Sequence, residues 1–255
     1  MSASENTPLV WLLRALVGGG FLGLWQWGAN TRWLDPFFFS RPSHIAARIG
    51  EWVTSGSLWP HLGTTLLEAL LAFVIGSTLG VVVGFTLGRL PLAARVMDPY
   101  IKIANALPRV ALAPLFLLWF GLDIRSKVAL GVTLVFFLVF FNTYRGILEV
   151  NPVLVNNVRM LGASESQLIR HVLLPSVLTW IFSSLEAAVG FAIVGAVVGE
   201  YLGASRGVGY LIAQAEGLFD TTGVFAGMAV LAAIVLAVSY AVGRLERYLL
   251  RWKKA

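Results

Sequence analysis

Six stretches of this chain, residues 9–29, 63–88, 100–121, 126–143, 176–199 and 224–243, are predominantly apolar over roughly twenty positions. A hydrocarbon core about 30 Å thick needs about 20 such residues per helical crossing. Each stretch is therefore a candidate span, because in lipid a backbone satisfies its own hydrogen bonds most simply as a helix. The first is too long and too rich in Trp to be a cleaved signal peptide. It runs into "WGANTRWLDP" with no small-residue cleavage site.

Composition agrees with that reading. Hydrophobic residues make up 58% and charged residues 13% of the 255, with nine Trp and a mean hydropathy of +0.80. Soluble domains carry about 25% charged residues. The net charge of +6 would suggest nucleic acid in a soluble protein, but in a membrane protein the placement of the cations matters more than their sum. No nucleic-acid partner is expected. The chain has no cysteine, so disulfides and thiolate metal sites are absent.

Orientation follows from the positive-inside bias. With the N-terminus inside, Arg89, Arg95, Lys102, Arg145, Arg159, Arg170, Arg244, Arg247, Arg251, Lys253 and Lys254 fall on the cytoplasmic side. Arg32, Arg41, Arg48, Arg125, Lys127 and Arg206 fall outside. Both termini of this multi-pass protein are expected in the cytoplasm.

Glycines recur every fourth residue at Gly76, Gly80 and Gly84, continuing to Gly88, and again at Gly195 and Gly199. Lipid tails solvate leucine as well as protein does, so spans associate by close backbone approach, which small residues at i and i+4 permit. These are expected packing seams.

Polar residues inside the spans are few. "NALPRVALAPLF" holds Asn105, Pro108, Arg109 and Pro114. An intramembrane Arg faces protein or a watery path, or snorkels to the surface when it lies near one. Both readings of Arg109 are open. Glu68 and Glu186 pose the same alternative, as pathway-lining groups or as partners for a cation. A proton relay is a further reading of such acids. In the outer segment 30–62, Ser43 is a candidate N-cap for a short interfacial helix that places Ile45, Ile49 and Trp52 on one face.

Catalytic and ligand motifs are missing. There is no G-x-x-x-x-G-K-[ST], so the glycine-rich "EYLGASRGVGYLI" is no phosphate loop of that type. His44, His61 and His171 are too scattered to form one metal site, and no serine-nucleophile elbow is present. No enzyme activity, cofactor or metal is expected on this chain.

"NNVRMLGASESQLIRHVLLPSVL", residues 156–178, gathers charge far from either end. It lies between Pro152 and Pro175, in the longest cytoplasmic connection, with Val155, Val158, Leu161 and Leu168 as an apolar stripe. Gly162 is costly inside a helix, by about 1 kcal/mol relative to Ala, and predicts a break or a close contact. A helix-turn-helix lying on the membrane fits, and so does a helix presented to a partner groove.

Gly162, nine residues, then Val172-Leu173-Leu174-Pro175 resembles the cytoplasmic signature loop of binding-protein-dependent ABC importer permeases. Their pattern is Glu-Ala-Ala, three residues, Gly, nine residues, Ile, one residue, Leu-Pro. Here Asn156, Asn157 and Val158 stand in the Glu-Ala-Ala positions. From Pro42 to Trp252 the chain is similar to the nitrate, taurine and aliphatic sulfonate branch. The segments "WPHLGTTLLEALLAFVIGSTLGVVVGFTLG", "LPRVALAPLFLLWFGL", "FFNTYRGI", "LGASESQLIRHVLLPSVL", "VVGEYLGASRGVGYLI" and "FDTTGVFAGM" follow in that branch's order.

The resemblance implies an all-α membrane protein, with six transmembrane helices in the type I importer (MetI-like) permease fold and a cytoplasmic coupling helix. It divides the chain into residues 1–62, a first span with an interfacial helix; residues 63–250, the permease core with its coupling loop at 153–175; and residues 251–255, a basic tail. It implies a homodimer in the lipid of a bacterial inner membrane, two ATPase subunits that hold ATP and Mg, and a periplasmic binding protein that delivers a small solute such as nitrate, a sulfonate, taurine or a related organic compound, with Arg109 suggesting an anionic one. Asn156, Asn157, Arg159, Gly162, Ala163, Ser164, Glu165 and Arg170, within residues 153–171, would contact the ATPase. Asn105, Arg109 and Glu186 would line the passage. Two other classes remain: a secondary transporter, which would import without ATP and show inverted repeats, and a structural membrane protein, which would import nothing.

Overall fold

A computed structural model describes residues 8–249 of the chain; the expected basic tail, 251–255, lies outside them. Among the described residues the chain is helical and no strand forms. The helices are α1 (Pro8–Asn30), α2 (Pro36–Phe39), α3 (Pro42–Thr54), α4 (Leu58–Arg89), α5 (Pro91–Ala106), α6 (Ala113–Phe120), α7 (Ile124–Leu148) and α8 (Pro152–Met160). They continue as α9 (Glu165–Leu202), α10 (Val208–Gly217) and α11 (Thr221–Leu249).

Proline opens α1, α2, α3, α5 and α8. At the first helical position its missing N–H is one that no helix uses, and its fixed φ suits the turn. Side chains cap several starts: Asp123 Oδ1 accepts from the Ile124 amide at 2.8 Å, and Asn151 Oδ1 from the Val153 amide at 2.9 Å. Ser43 does not cap α3. Because Pro42 begins the helix one residue earlier, Arg41 holds the cap position, and the Ser43 amide donates to Gln26 Oε1 at 3.0 Å.

Among the described residues five helices are long and apolar enough to cross a membrane: α1, α4, α7, α9 and α11. The stretch expected as a third span is a broken pair, in which α5 and the segment Arg109–Phe120 meet at 83°. Pro108 disfavours helical backbone at Leu107, which takes ψ 131°. Counting this pair as one crossing gives six.

The chain divides into two compact units. One comprises the chain up to Trp59 with Leu211–Val230; the other comprises Pro60–Tyr210 and the chain from Leu231. Segment 211–230 falls with the N-terminal helices in the first unit. In the first unit Ile45 is buried, with Ile49 and Trp52 half-buried on its face of α3. Arg48 Nη1 donates to Asp220 Oδ2 at 2.6 Å, and Asp220 Oδ1 accepts from the Gly223 amide at the start of α11. Ser40 and Thr222 pair through their hydroxyls at 2.7 Å, the Thr221 hydroxyl donates to the Phe37 carbonyl, and Trp25 packs edge-on against Phe225.

In the second unit α7 is central, with Leu130, Val135, Val139, Phe140 and Ile147 buried. The glycine row of α4 runs along it. A Cβ at Gly76 would lie 2.8 Å from Val135 Cβ, one at Gly80 2.9 Å from the Phe136 oxygen, and one at Gly84 2.7 Å from the Phe140 oxygen. On the other side Gly195 of α9 crosses the backbone of Gly131, and a Cβ at Gly199 would stand 2.8 Å from Lys127 Cγ. Close approach of this kind holds helices together where no hydrophobic driving force exists. Gly84→Leu is expected to destabilise the fold by about 1–3 kcal/mol or more, because backbone opposite it cannot yield. Gly63→Leu, on the same helix but with nothing within 4 Å of its Cβ, should leave the detergent melting temperature unchanged. Equal melting of the two variants would refute the seam.

Candidate functional site

Three groupings of polar residues stand out within the second unit. The first is the connection between α7 and α9. Helix α8 ends at Met160, and Gly162 turns the chain with φ +80° and open space around its Cβ position. It is a break, not a close contact. Ser164 then starts α9 with a capping box: its Oγ accepts from the Gln167 amide at 3.3 Å, and Gln167 Oε1 accepts from the Ser164 amide at 2.8 Å.

Helix α9 is continuous from Glu165 to Leu202, about 57 Å at 1.5 Å per residue. It widens into a π turn over Ile169–Leu173. Pro175, two residues beyond, offers no N–H to the fourth carbonyl before it, and a wider turn accommodates that loss.

Leu168, Val172, Leu173 and Val177 bury themselves against Ile147, with Phe85, Val155 and Val158 packed around them. This core mounts the connection on α4 and α7. Leu161, expected on the same stripe, is instead 87% exposed, because the Gly162 turn ends α8 just before it. Met160 beside it is 79% exposed. Asn156, Asn157, Arg159, Ser164, Glu165 and Arg170 are also exposed, with Ala163 half-buried. The residues expected to contact a partner thus lie together on one ordered connection. Glu165 is engaged within it: Oε2 accepts from Arg89 Nη2 at 2.6 Å and Oε1 from Arg159 Nη2 at 3.0 Å.

The second grouping lies at the other end of α4 and α9. Glu200 is fully buried. Its Oε1 accepts from Thr65 Oγ1 at 2.6 Å and its Oε2 from the Gly209 amide at 2.7 Å. Thr65 Oγ1 in turn accepts from the Val208 amide at 2.9 Å, and the Gly207 amide donates to His61 Nδ1 at 3.1 Å, with the His61 ring stacked on Tyr210.

Gly207 takes φ +120° and sits where a Cβ would collide with the Glu200 carboxyl. The glycine-rich segment is therefore a cradle for this chain's own carboxylate, with the Gly209 amide at the start of α10 as the direct donor and the Val208 amide acting through Thr65. The Glu68 carboxyl adjoins that of Glu200, and the field of Lys127 reaches both. Lys127 is buried and donates to the Leu122 and Asp123 carbonyls at 2.7 and 3.2 Å.

Sequence reasoning singled out neither Glu200 nor Lys127. A partial signal was present: each is a charge one turn or less from the end of an apolar helix, with Ser126 before Lys127 and Gly199 before Glu200.

The third grouping surrounds the break between α5 and α6. Arg109 Nη2 donates to Asn105 Oδ1 at 2.6 Å, and its guanidinium lies 4.6 Å from the Phe137 ring centroid. It pairs with neither Glu68 nor Glu186. Glu186 is exposed on α9, midway along its apolar length.

Comparison with known proteins gives a consistent result. The profile of the family described as binding-protein-dependent transport system inner membrane component matches residues 76–254. A Bacillus subtilis (strain 168) protein assigned to aliphatic sulfonates transport as the permease is 33% identical over 96% of this chain and 89% of its own length. The riboflavin transport system permease protein of Chloroflexus aurantiacus is 34% identical over 91% of this chain and 87% of its own. The taurine transport system permease protein of Escherichia coli (strain K12) is 28% identical, covering 91% and 86%. Among solved structures, the MetNI methionine ABC transporter in inward-facing conformations superposes with a TM-score of 0.61 at 20% identity, covering 77% of this chain and 96% of that one. That similarity establishes the shared fold.

Proposed function

The chain belongs to the binding-protein-dependent transport system inner membrane components, and from that membership we propose that two copies of it enclose the passage of a small organic solute. It is a multi-pass permease that works with ATPase and binding-protein partners. Both termini face the cytoplasm, where the connection 153–171 seats on an ATPase subunit carrying ATP and Mg. The solute is a sulfonate, taurine or a related compound, delivered by the binding protein at the opposite face.

The observation that carries this reading is the mounting of that connection. Met160 and Leu161 stand almost fully exposed outside the spans, on a segment whose other face is packed into the core. Large apolar side chains held rigidly in water are anchors for a partner pocket. For the pathway, Glu186 is the argument. A carboxylate midway along a span costs about 2.5–3.5 kcal/mol against lipid, so its face of α9 is turned to a second copy and a watery passage. Asn105 and Arg109 line the same passage.

Co-purification with the candidate ATPase, followed by reconstitution with the binding protein, tests the reading. Hydrolysis stimulated by loaded binding protein is expected, and failure of any ATPase to associate with the intact chain would end the proposal. Uptake that persists without nucleotide would mark an ion-gradient carrier instead. Arg109→Ala is expected to raise the KM for an anionic cargo and to leave assembly intact. Unchanged transport and affinity would remove the anionic assignment.

A further inference from the structure

We propose that Glu165 is the positioning residue that makes α4 and α9 move together when the connection between α7 and α9 is displaced. The inference rests on the reading that residues 153–171 contact the ATPase, and it deepens that reading. Helix α9 is joined to the connection by the chain itself. Helix α4 is not: its last residue, Arg89, is 76 positions from Glu165, and the intervening chain runs through the broken pair and the whole of α7.

The carboxylate of Glu165 spans that gap. One oxygen takes Arg89 at 2.6 Å and the other takes Arg159 of α8 at 3.0 Å, so a single side chain ties the end of α4, the docking helix and the first turn of α9. Its own position is well determined. It follows the Ser164–Gln167 capping box and lies at a helix N-terminus, where the backbone amides favour a carboxylate. Leu168 beneath it is buried against the core that includes Phe85 of α4.

The tie contributes little to stability, since all three side chains keep contact with water. Its value is geometric. Removing the carboxylate leaves Arg89 and Arg159 as like charges facing each other beside the positive end of a helix, which drives α4 away from the connection. The apolar contacts alone then carry the displacement.

The same geometry bears on the Asn156-Asn157-Val158 sequence. With both of its oxygens held by arginines of this chain, Glu165 does not stand in for the carboxylate that the signature loop usually presents. The face offered to the ATPase is apolar and uncharged at Met160, Leu161, Asn156 and Asn157.

The test uses the whole complex, with ATPase and binding protein in proteoliposomes, and compares Glu165→Gln, Arg89→Gln, Arg89→Lys and the Glu165→Gln/Arg89→Gln double variant. Three quantities are read: ATPase association, binding-protein-stimulated hydrolysis, and solute imported per ATP hydrolysed. Both single glutamine variants are expected to keep association. They should lower import per ATP by at least about fivefold, the low end of coupling between sites. The double variant should be no worse than either single, because all three remove one link, and Arg89→Lys should restore most of the ratio.

An unchanged ratio in both singles, or losses that multiply in the double, would overturn the proposal. Loss of ATPase association in Glu165→Gln would place Glu165 on the partner and overturn it too, while leaving the docking reading standing. Absence of association in the unaltered chain would remove both.

Discussion

Glu200→Ala will destabilise the protein by about 3–5 kcal/mol, the cost of removing one partner from a buried charged network, read as a lower melting temperature in detergent. The Gly209 amide is orphaned and the Thr65 hydroxyl loses its shorter acceptor, falling back on the His61 carbonyl at 3.2 Å; an unsatisfied buried group costs about 1–3 kcal/mol. The backbone beside the site is closely packed, since a Cβ at Gly209 would lie 2.5 Å from the Val197 oxygen.

Glu200→Gln is the milder change. Its amide oxygen accepts from one donor, but its amino group then faces the other. Glu68→Gln should behave in the opposite way. Glu68 Oε2 is buried without a hydrogen-bond partner, so an amide there removes a carboxyl from beside another and supplies a donor. Melting of Glu200→Ala at the unaltered temperature would show that the carboxylate does not organise the start of α10.

Gly162→Trp will leave the chain folded in the membrane but abolish coupling to the ATPase. The φ of +80° costs a side-chain-bearing residue about 1–2 kcal/mol, enough to shift the turn between α8 and α9. Nothing in this chain lies within 4 Å of the Cβ position, so the side chain leaves the backbone unobstructed on the face where a partner is expected to dock. A misplacement on the order of 1 Å far from the chemistry can cost a factor of about a hundred, so binding-protein-stimulated hydrolysis should fall by at least about tenfold. Gly162→Asn, which tolerates the left-handed backbone, should retain most of it. Stimulated hydrolysis at the unaltered level in the Trp variant would remove Gly162 from the docking face.

The third apolar run shows how far linear reasoning reaches. Pro108 and Pro114 announced that backbone groups would be freed there. Whether the helix would kink slightly or fold back at 83° depends on what packs against each half. Arg109 is similar. What lies next to it, Asn105 one turn away and the face of Phe137, depends on how the broken pair folds against α7. The glycine rows marked which faces of α4 and α9 would be closely approached, but not that α7 would fill both seams. Leu161 was assigned to a buried stripe by periodicity, which holds only while the helix continues. The turn at Gly162 ended α8 one residue too soon for it.

Length and hydropathy of each segment were enough to point to the membrane-spanning helices, and six segments in the order of one permease branch, the signature loop among them, were enough to point to the family. Partition into lipid depends on a segment's own residues, and a signature loop is read along one stretch of chain. Which helix meets which, and the buried contact of Glu200 with Thr65, Gly209 and Glu68, emerged only in three dimensions. Such contacts join residues as far apart as 135 positions, and their energy comes from geometry that neither residue's local sequence contains.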